Sequence, residues 1–266
     1  DLHKEYRRQR QMCIRERNSA MRQAVLKQNK SWAPITLLVG QIIAQASAIL
    51  SLFFFDWTLP TILTSIFVYC SIMLGITMGY HRLYSHKAFK CPKWIEYYLL
   101  FFAHIMMVGP AITWVANHRE HHKYADTPKD PHSPYYRGVM LAYFGQVLID
   151  IDFKLVRDLL RQPLHRWQVT NYWSLIAIWA AVLIVIDPYA LLYAWLVPAG
   201  FAKMIGSLVF TFSHRDRHAH SDMWVGLLTL GEGFHEVHHR TASRVVWHPF
   251  DLGGQLIRLI DAKVKK

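Results

Sequence analysis

Four long apolar runs constrain the fold of this chain more than any other feature of its sequence. Residues 35–55 and 58–78 are each 21 residues long and contain no charge, which is enough for a helix to cross the hydrocarbon core of a bilayer. Residues 169–186 and 189–212 form a second pair, and the last run carries a single charge, Lys203. Because the core of a bilayer offers no water to backbone groups, such runs are expected to be helical. The predicted fold class is therefore all-α and integral to the membrane, with four transmembrane helices in two hairpins.

The charges between these runs predict the orientation of the chain. The turns at Asp56 and Asp187 contain no lysine or arginine, whereas the other connecting segments are basic. By the positive-inside rule, those two turns face away from the cytoplasm. Residues 1–266 would then form one membrane-bound domain, with a cytosolic cap made of residues 79–168 and 213–266. We expect Lys203 to extend towards the nearer membrane surface, as long basic side chains in membrane helices commonly do.

The remaining segments are more polar or shorter than a membrane span. Residues 1–30 are strongly basic and predict an amphipathic helix on the membrane surface or over the cap. Residues 93–108 predict an interfacial or re-entrant helix, residues 139–164 a membrane-surface helix, and residues 252–260 an amphipathic tail. The net charge of +12 is not accompanied by a nucleic-acid-binding motif. We therefore expect contact with anionic lipid headgroups, not with nucleic acid.

Half of the sixteen histidines fall in three short boxes. They are His81 and His86 in GYHRLYSH, His118, His121 and His122 in NHREHH, and His235, His238 and His239 in FHEVHH. In the second and third boxes the spacing i, i+3, i+4 puts three imidazoles on one face of a helix. Each box follows an apolar segment, so the predicted topology places all three on the cytoplasmic side.

Clustered imidazoles at this spacing predict a metal centre. Neutral imidazole binds zinc, copper, iron and nickel, and one zinc ion needs about four ligands, so eight or nine histidines suit two ions. His81 and His86 lie about 140° apart on an α-helix. Either that helix ends near Ser85, or the two residues serve different ions. A redox metal beside lipid-buried helices favours oxidation of an apolar substrate, and a haem-binding membrane electron carrier is the competing class.

The three boxes and their flanking residues resemble those of the membrane-bound fatty acyl desaturases, specifically the stearoyl-CoA desaturase branch. The matching stretches are GITMGYHRLYSHKAF, WVANHREHHKYADTPKDPH and GEGFHEVHH, and the likeness runs from about residue 35 to residue 251. The resemblance implies an oxidoreductase with a non-haem di-iron centre under a cytosolic cap. It also implies that the eight box histidines are the catalytic metal ligands.

The same resemblance implies the reaction and its partners. Two iron ions would use O2 as co-substrate to remove two hydrogens from a fatty acyl thioester, either acyl-CoA or acyl-ACP. Two electrons would come from a separate donor, a ferredoxin or a b-type cytochrome. The expected location is a bacterial inner membrane, or the endoplasmic reticulum membrane in a eukaryote, with a cytoplasmic active site. An acetylenase or a hydroxylase on the same scaffold is the alternative.

The family has a ninth histidine after the fourth run, four residues beyond an asparagine, and this sequence departs from that pattern. The local text is VFTFSHRDRHAH, which contains no asparagine. If His214 is the ninth ligand, Phe210 occupies the asparagine position; if it is His218, His214 does. The sequence leaves both possible, with a slight preference for His218.

Further candidates flank the boxes. A ligating imidazole normally donates its other N–H to a carboxylate or a carbonyl, and the acidic candidates are Glu120, Asp126, Asp130 and Glu232. The candidates for binding the substrate and its carrier are Trp114, Asn117, Arg119, Gly75 and Tyr80. Ordinary helix packing explains Gly75 and Tyr80 equally well.

Overall fold

A computed structural model of the protein describes residues 33–144 and 151–261, together with positions 4, 5, 12, 19 and 23. Within these residues the fold is helical, and the β-structure is limited to an isolated bridge between Ser221 and Phe234. The predicted all-α class is confirmed for this part of the chain. The amphipathic helix predicted for residues 1–30 lies almost entirely outside the described residues.

The helices follow one another with short connections. The first half of the chain contains α1 (Ala33–Phe54), α2 (Leu59–Leu74, continued as a π-helix over Gly75–Ser85), α3 (Lys93–Ile105), α4 (Ala111–Tyr124), α5 (Pro134–Arg137) and α6 (Val139–Phe144). The second half contains α7 (Arg157–Leu160), α8 (Pro163–Thr170), α9 (Tyr172–Ile186), α10 (Val197–Phe212, preceded by a π-helical turn over Leu192–Leu196), α11 (Met223–Leu228), α12 (His235–Arg240) and α13 (Leu252–Ile260).

Within the described residues, three helical segments are long and apolar enough to cross a membrane by length and composition. They are Pro34–Phe54, Leu59–Ser85 and Leu192–Phe212. In the same part of the chain, α8 and α9, which meet at an angle of 69°, give a fourth span if they count together. The continuous helix predicted for residues 169–186 is therefore divided at Asn171. Hydrogen bonds hold the second piece at the bend, because the Tyr172 hydroxyl donates to the His104 carbonyl and His104 Nε2 donates to the Tyr172 carbonyl.

Small residues allow the long helices to approach one another closely. A Cβ atom on Gly200 of α10 would lie 2.1 Å from the carbonyl oxygen of Ala44 in α1. A Cβ atom on Gly75 of α2 would lie 2.5 Å from the backbone nitrogen of Ala103 in α3. Small residues at crossings are typical of membrane helices, where backbone packing stabilises the bundle. These two contacts fix α1 against α10 and α2 against α3.

Two expectations about polar segments change with the structure. Lys203 does not extend to a membrane surface: its side chain is buried, and its Nζ donates to the Tyr143 carbonyl and to Ser207 Oγ, each at 2.7 Å. The surface helix predicted for residues 139–164 is broken into α6, a 3₁₀ turn over Phe153–Val156 and α7, and residues 145–150 within it lie outside the described part. The predicted helices over residues 93–108 and 252–260 are present as α3 and α13.

Candidate metal centre

The π-helical end of α2 brings the two histidines of the first box to the same face. Residues Gly75–Ser85 form hydrogen bonds of the i→i+5 type, and the last of them joins the His86 N–H to the His81 carbonyl at 3.2 Å. This bonding pattern places residue i+5 above residue i, whereas an α-helix would turn it far to the side. The helix ends at Ser85, and His81 and His86 belong to the same cluster.

The first cluster contains five imidazoles contributed by all three boxes. One ring nitrogen from each lies within 4.8 Å of the others, and the members are His81, His86, His118, His122 and His238. The closest Nε2–Nε2 pairs are His122 with His238 at 2.7 Å, His81 with His238 at 2.9 Å, and His86 with His118 at 2.9 Å. The helices α2, α4 and α12 thus meet at one point.

The second cluster contains four imidazoles, His121, His214, His235 and His239. His214 Nε2 lies 2.9 Å from His235 Nε2 and 3.1 Å from His121 Nε2. His218 is exposed and belongs to neither cluster. The slight sequence preference for His218 therefore disagrees with the arrangement of the side chains. Phe210 lies four residues before His214, at the position where the family pattern has asparagine, and it lines a cavity beside the clusters.

The distances within both clusters fit metal coordination. A pair of imidazole nitrogens at right angles around an ion, each about 2.1 Å from it, would be about 3.0 Å apart. The contacting Nε2 pairs lie between 2.7 and 3.3 Å. Nitrogen-only ligand sets suit zinc, copper, iron and nickel. The residues present can therefore hold two ions, one in each cluster.

Burial favours the neutral form of several clustered imidazoles, and metal ligation requires that form. Burial, followed by the proximity of other histidines, lowers the pKa of His86 to about 2 and that of His239 to about 2. The same causes hold the pKa values of His118, His121 and His238 well below the ordinary range. These five rings therefore offer a lone pair at neutral pH.

Three of the four predicted carboxylates contact the outer nitrogens of clustered histidines. His81 Nδ1 donates to Glu232 Oε2 at 2.5 Å and His121 Nδ1 donates to Asp130 Oδ1 at 2.9 Å. His214 Nδ1 lies 3.2 Å from Asp126 Oδ1. A donor Nδ1–H fixes the tautomer, so that Nε2 presents its lone pair to the cluster.

The electrostatics of these carboxylates agree with this arrangement. Burial alone would raise the pKa of Glu232, but the nearby His81 ring outweighs it, and the pKa is lowered. Burial raises the pKa of Asp130, although hydrogen bonds from two backbone N–H groups oppose this. Glu120 is only half-buried, and in the described part of the chain it is not bonded to an imidazole.

A small cavity of about 30 Å³ adjoins the clusters. Its lining combines apolar side chains of α2 and α10, and of Met106 and Val108 after α3, with His118, His235, Glu232 and Lys203. Trp114 lines it too and stacks on the His118 ring, with 5.0 Å between ring centroids. The cavity therefore places apolar side chains directly beside the clustered imidazoles.

The other predicted substrate residues have structural contacts. Arg119 donates to the Ser85, Tyr84 and Leu155 carbonyls and to both Asp158 oxygens, so its guanidinium ties α4 to its neighbours. The Tyr80 hydroxyl donates to the Gly109 carbonyl. Asn117 is buried on α4, and Gly75 packs against α3.

Sequence reasoning missed a buried wall behind the first cluster. The Trp247 ring centroid lies 4.5 Å from that of His238 and 5.2 Å from that of His81. The Arg82 guanidinium lies over the Trp247 ring, 3.6 Å from its centroid, and pairs with Asp251 at 2.7 Å. One sequence feature pointed to this wall. Arg82 is a charged residue inside the first box, and a buried arginine needs a partner of opposite charge.

The structure combines helices suited to a membrane with two clusters made entirely of histidines. These two features together define a class of membrane-bound metalloprotein. Comparison with known proteins identifies the class: the model of the fatty acid desaturase family matches residues 25–250, and the chain belongs to that family. This confirms the family expected from the three boxes. Membership implies an oxidoreductase that acts on fatty acids.

Individual relatives match most of the chain at modest identity. Delta-9 desaturase-like 5 protein of Arabidopsis thaliana is 28% identical, over 94% of this chain and 92% of that protein. Delta-9 desaturase-like 2 protein of the same plant is 31% identical, over 71% and 70%. The sn-2 palmitoyl-lipid 9-desaturase of Nostoc sp. is 30% identical, over 81% and 82%.

Proposed function

We propose that this protein is an O2-dependent fatty acyl desaturase in which the two histidine clusters bind two iron ions. The observation that carries the proposal is the meeting of five and four imidazole nitrogens, each set within 4.8 Å, beside an apolar cavity. We further propose that α8 and α9 together form a fourth span, and that both clusters lie on the cytoplasmic side. The positive-inside rule supports that orientation.

The reaction consists of an acyl chain, O2, two electrons and two protons giving a carbon–carbon double bond and two molecules of water. O2 is the oxidant, and two bound iron ions would make it reactive enough to attack an unactivated chain. The protein's own contribution is to hold the ligands and the substrate. Glu232, Asp130 and Asp126 orient the imidazoles through their Nδ1 atoms, and the apolar side chains beside the clusters would contact the acyl chain and exclude water.

For the acyl carrier we propose a thioester, acyl-CoA or acyl-ACP. A second candidate is an acyl lipid, because two relatives are named sn-2 palmitoyl-lipid 9-desaturase and Delta-9 acyl-lipid desaturase 1. We propose a separate ferredoxin or b-type cytochrome as electron donor. Exposed basic side chains near the third box, among them Arg215, Arg217 and Arg244, would attract an acidic protein. We propose a bacterial inner membrane as the location.

The test is a product analysis with iron-loaded protein in detergent, supplied with a reduced donor and O2. Palmitoyl and stearoyl chains are offered as CoA thioester, ACP thioester and phospholipid, and the products are identified by mass spectrometry. Loss of two hydrogens supports a desaturase, gain of one oxygen indicates a hydroxylase, and loss of two hydrogens only from an unsaturated chain indicates an acetylenase. A Soret band without product would instead identify a haem electron carrier. His118→Ala should abolish the product, and His218→Ala, on the exposed surface, should not.

A further inference from the structure

The C-terminal helix α13 has an exposed apolar face in addition to its buried one. Leu252, Leu256 and Leu259 are all exposed, and their i, i+4, i+7 spacing aligns them in a leucine stripe along one side of the helix. Ile257, on the opposite side, is fully buried. Single exposed leucines are normal on a protein surface, but an aligned set of them indicates contact with a partner or a membrane.

The position of α13 in the fold places this helix near the boundary of the membrane. α2 begins at Leu59, and a helix needs about twenty residues to cross the hydrocarbon core of a bilayer, so the core ends near Met78. A Cβ atom on Gly253, at the start of α13, would lie 2.9 Å from Thr77 Cγ2. The helix therefore begins beside the last turn of α2 that lies in the hydrocarbon core.

The neighbouring helix α3 exposes side chains that are typical of the same boundary. Trp94 is 70% exposed and Tyr97 is also exposed, and these two residue types are enriched where membrane helices meet the lipid headgroups. Ile95 and Leu99 of α3 belong to the same buried apolar cluster as Ile257 of α13. The two helices therefore pack together at this boundary.

Basic residues accompany the C-terminal end of the leucine stripe. The segment 258–266 contains one acidic residue, Asp261, and four basic residues, Arg258, Lys263, Lys265 and Lys266. The Arg258 guanidinium donates to a neutral acceptor, Gln255 Oε1, at 3.2 Å. An apolar helix face beside a surplus of basic residues suits a bilayer surface with anionic headgroups.

We propose that α13 is an interfacial helix whose leucine stripe inserts into an anionic surface of the bilayer that the long helices cross. The exposed face is thus covered by lipid. The start of the same helix supports the first histidine cluster from behind, because Asp251 pairs with Arg82 at 2.7 Å. Lipid bound to α13 therefore stabilises the region around the first box.

The experiment measures the position of the leucine stripe in the full chain reconstituted into lipid nanodiscs. A bimane label is attached at Leu256→Cys, in a background where Cys13, Cys70 and Cys91 are replaced by serine, and its quenching by lipids brominated on the acyl chain is recorded. Ser243→Cys, in the exposed turn after α12, is the matched reference. Quenching should be at least about twofold stronger at position 256 than at position 243. It should also be stronger in discs that contain phosphatidylglycerol than in discs of phosphatidylcholine alone, because the basic residues are attracted to anionic headgroups.

The other outcomes each overturn the proposal. Equally weak quenching at the two positions would place the stripe in water. A label at position 256 that is shielded from water but not quenched, in discs that hold two chains, would identify an interface between copies of this chain. Equal quenching in the two lipid compositions would remove the anionic specificity. If Leu256→Cys does not fold, Leu259→Cys provides the same test, because that side chain is 82% exposed. The measurement needs no turnover, so its failure would leave the desaturase proposal untouched.

Discussion

Replacing His214 by alanine tests the composition of the second cluster directly. His214 Nε2 forms contacts with His121 Nε2 at 3.1 Å and with His235 Nε2 at 2.9 Å, so the substitution leaves His121, His235 and His239 as the remaining imidazoles of this cluster. An ion bound by imidazole needs about four ligands for a closed site. The five imidazoles of the first cluster are not touched. Metal content should therefore fall from about two ions per chain to about one.

The assay is metal per chain by mass spectrometry on protein purified without chelators, with His218→Ala as the matched control. His218 lies four residues further along and is exposed, so its loss should leave about two ions bound. Combining His118→Ala with His214→Ala should reduce the content further, because each cluster then lacks a ligand. Full metal content in His214→Ala together with loss in His218→Ala would refute the assignment of the second cluster.

Three further predictions follow from single contacts. Glu232→Gln replaces the carboxylate that orients an imidazole, and metal affinity should fall roughly 10- to 100-fold in a chelator competition; unchanged affinity would contradict that role. Gly75→Ala places a Cβ atom 2.5 Å from the Ala103 backbone nitrogen and should destabilise the fold by roughly 1–3 kcal/mol, whereas Gly206→Ala, which meets only a side-chain end at 3.5 Å, should retain its melting temperature. Burial lowers the pKa of His104 to about 4, below its unfolded value of about 6.5. Because the unfolded state therefore binds more protons, the stability of the fold decreases as the pH drops below about 6.5. At pH 5.5 this effect lowers the free energy of unfolding by about 1.4 kcal/mol. Between pH 7.5 and pH 5.5, melting curves of His104→Gln should therefore show a loss of stability that is smaller than that of the wild type by about this amount; equal losses in the two proteins would show that His104 is not responsible.

Features that depend on residues close together in sequence could be predicted. The apolar runs predict α1, α2 and α10, because length and lack of charge determine whether a helix can cross a bilayer. The i, i+3, i+4 spacing on α4 and α12 places each triplet on one helix face, but the structure divides each triplet between the two clusters: His118 and His122 join His238, and His121 joins His235 and His239. Three of the four carboxylates chosen beside the boxes contact the Nδ1 atom of a clustered imidazole, as expected if that imidazole needs an acceptor for its Nδ1–H.

Features that depend on distant partners could not be predicted. Sequence spacing alone allows either His214 or His218 to reach the second cluster. In the structure α10 is followed by a 3₁₀ turn over Arg215–Arg217, and His218 lies beyond this turn, away from the cluster. Arg119 looked available for a substrate until Asp158, on α7, was found to bind it through both oxygens. Lys203 looked like a surface-seeking side chain because its acceptor, the Tyr143 carbonyl, lies 60 residues earlier.

The π-helical end of α2 shows how a local irregularity can be stabilised by such distant contacts. The π-helix is rare and mostly limited to single turns, so other interactions must favour this longer segment. Within the segment, Ser85 Oγ donates to the Tyr80 carbonyl at 2.8 Å, repeating the i→i+5 spacing with a side chain. Arg82 donates to Thr77 of the same segment and to Asp251. Because Asp251 also accepts from the Gly254 N–H at the start of α13, the C-terminal helix helps to hold the winding that aligns the first box. The five-residue spacing of that box is compatible with one metal cluster only because this π-helix is present.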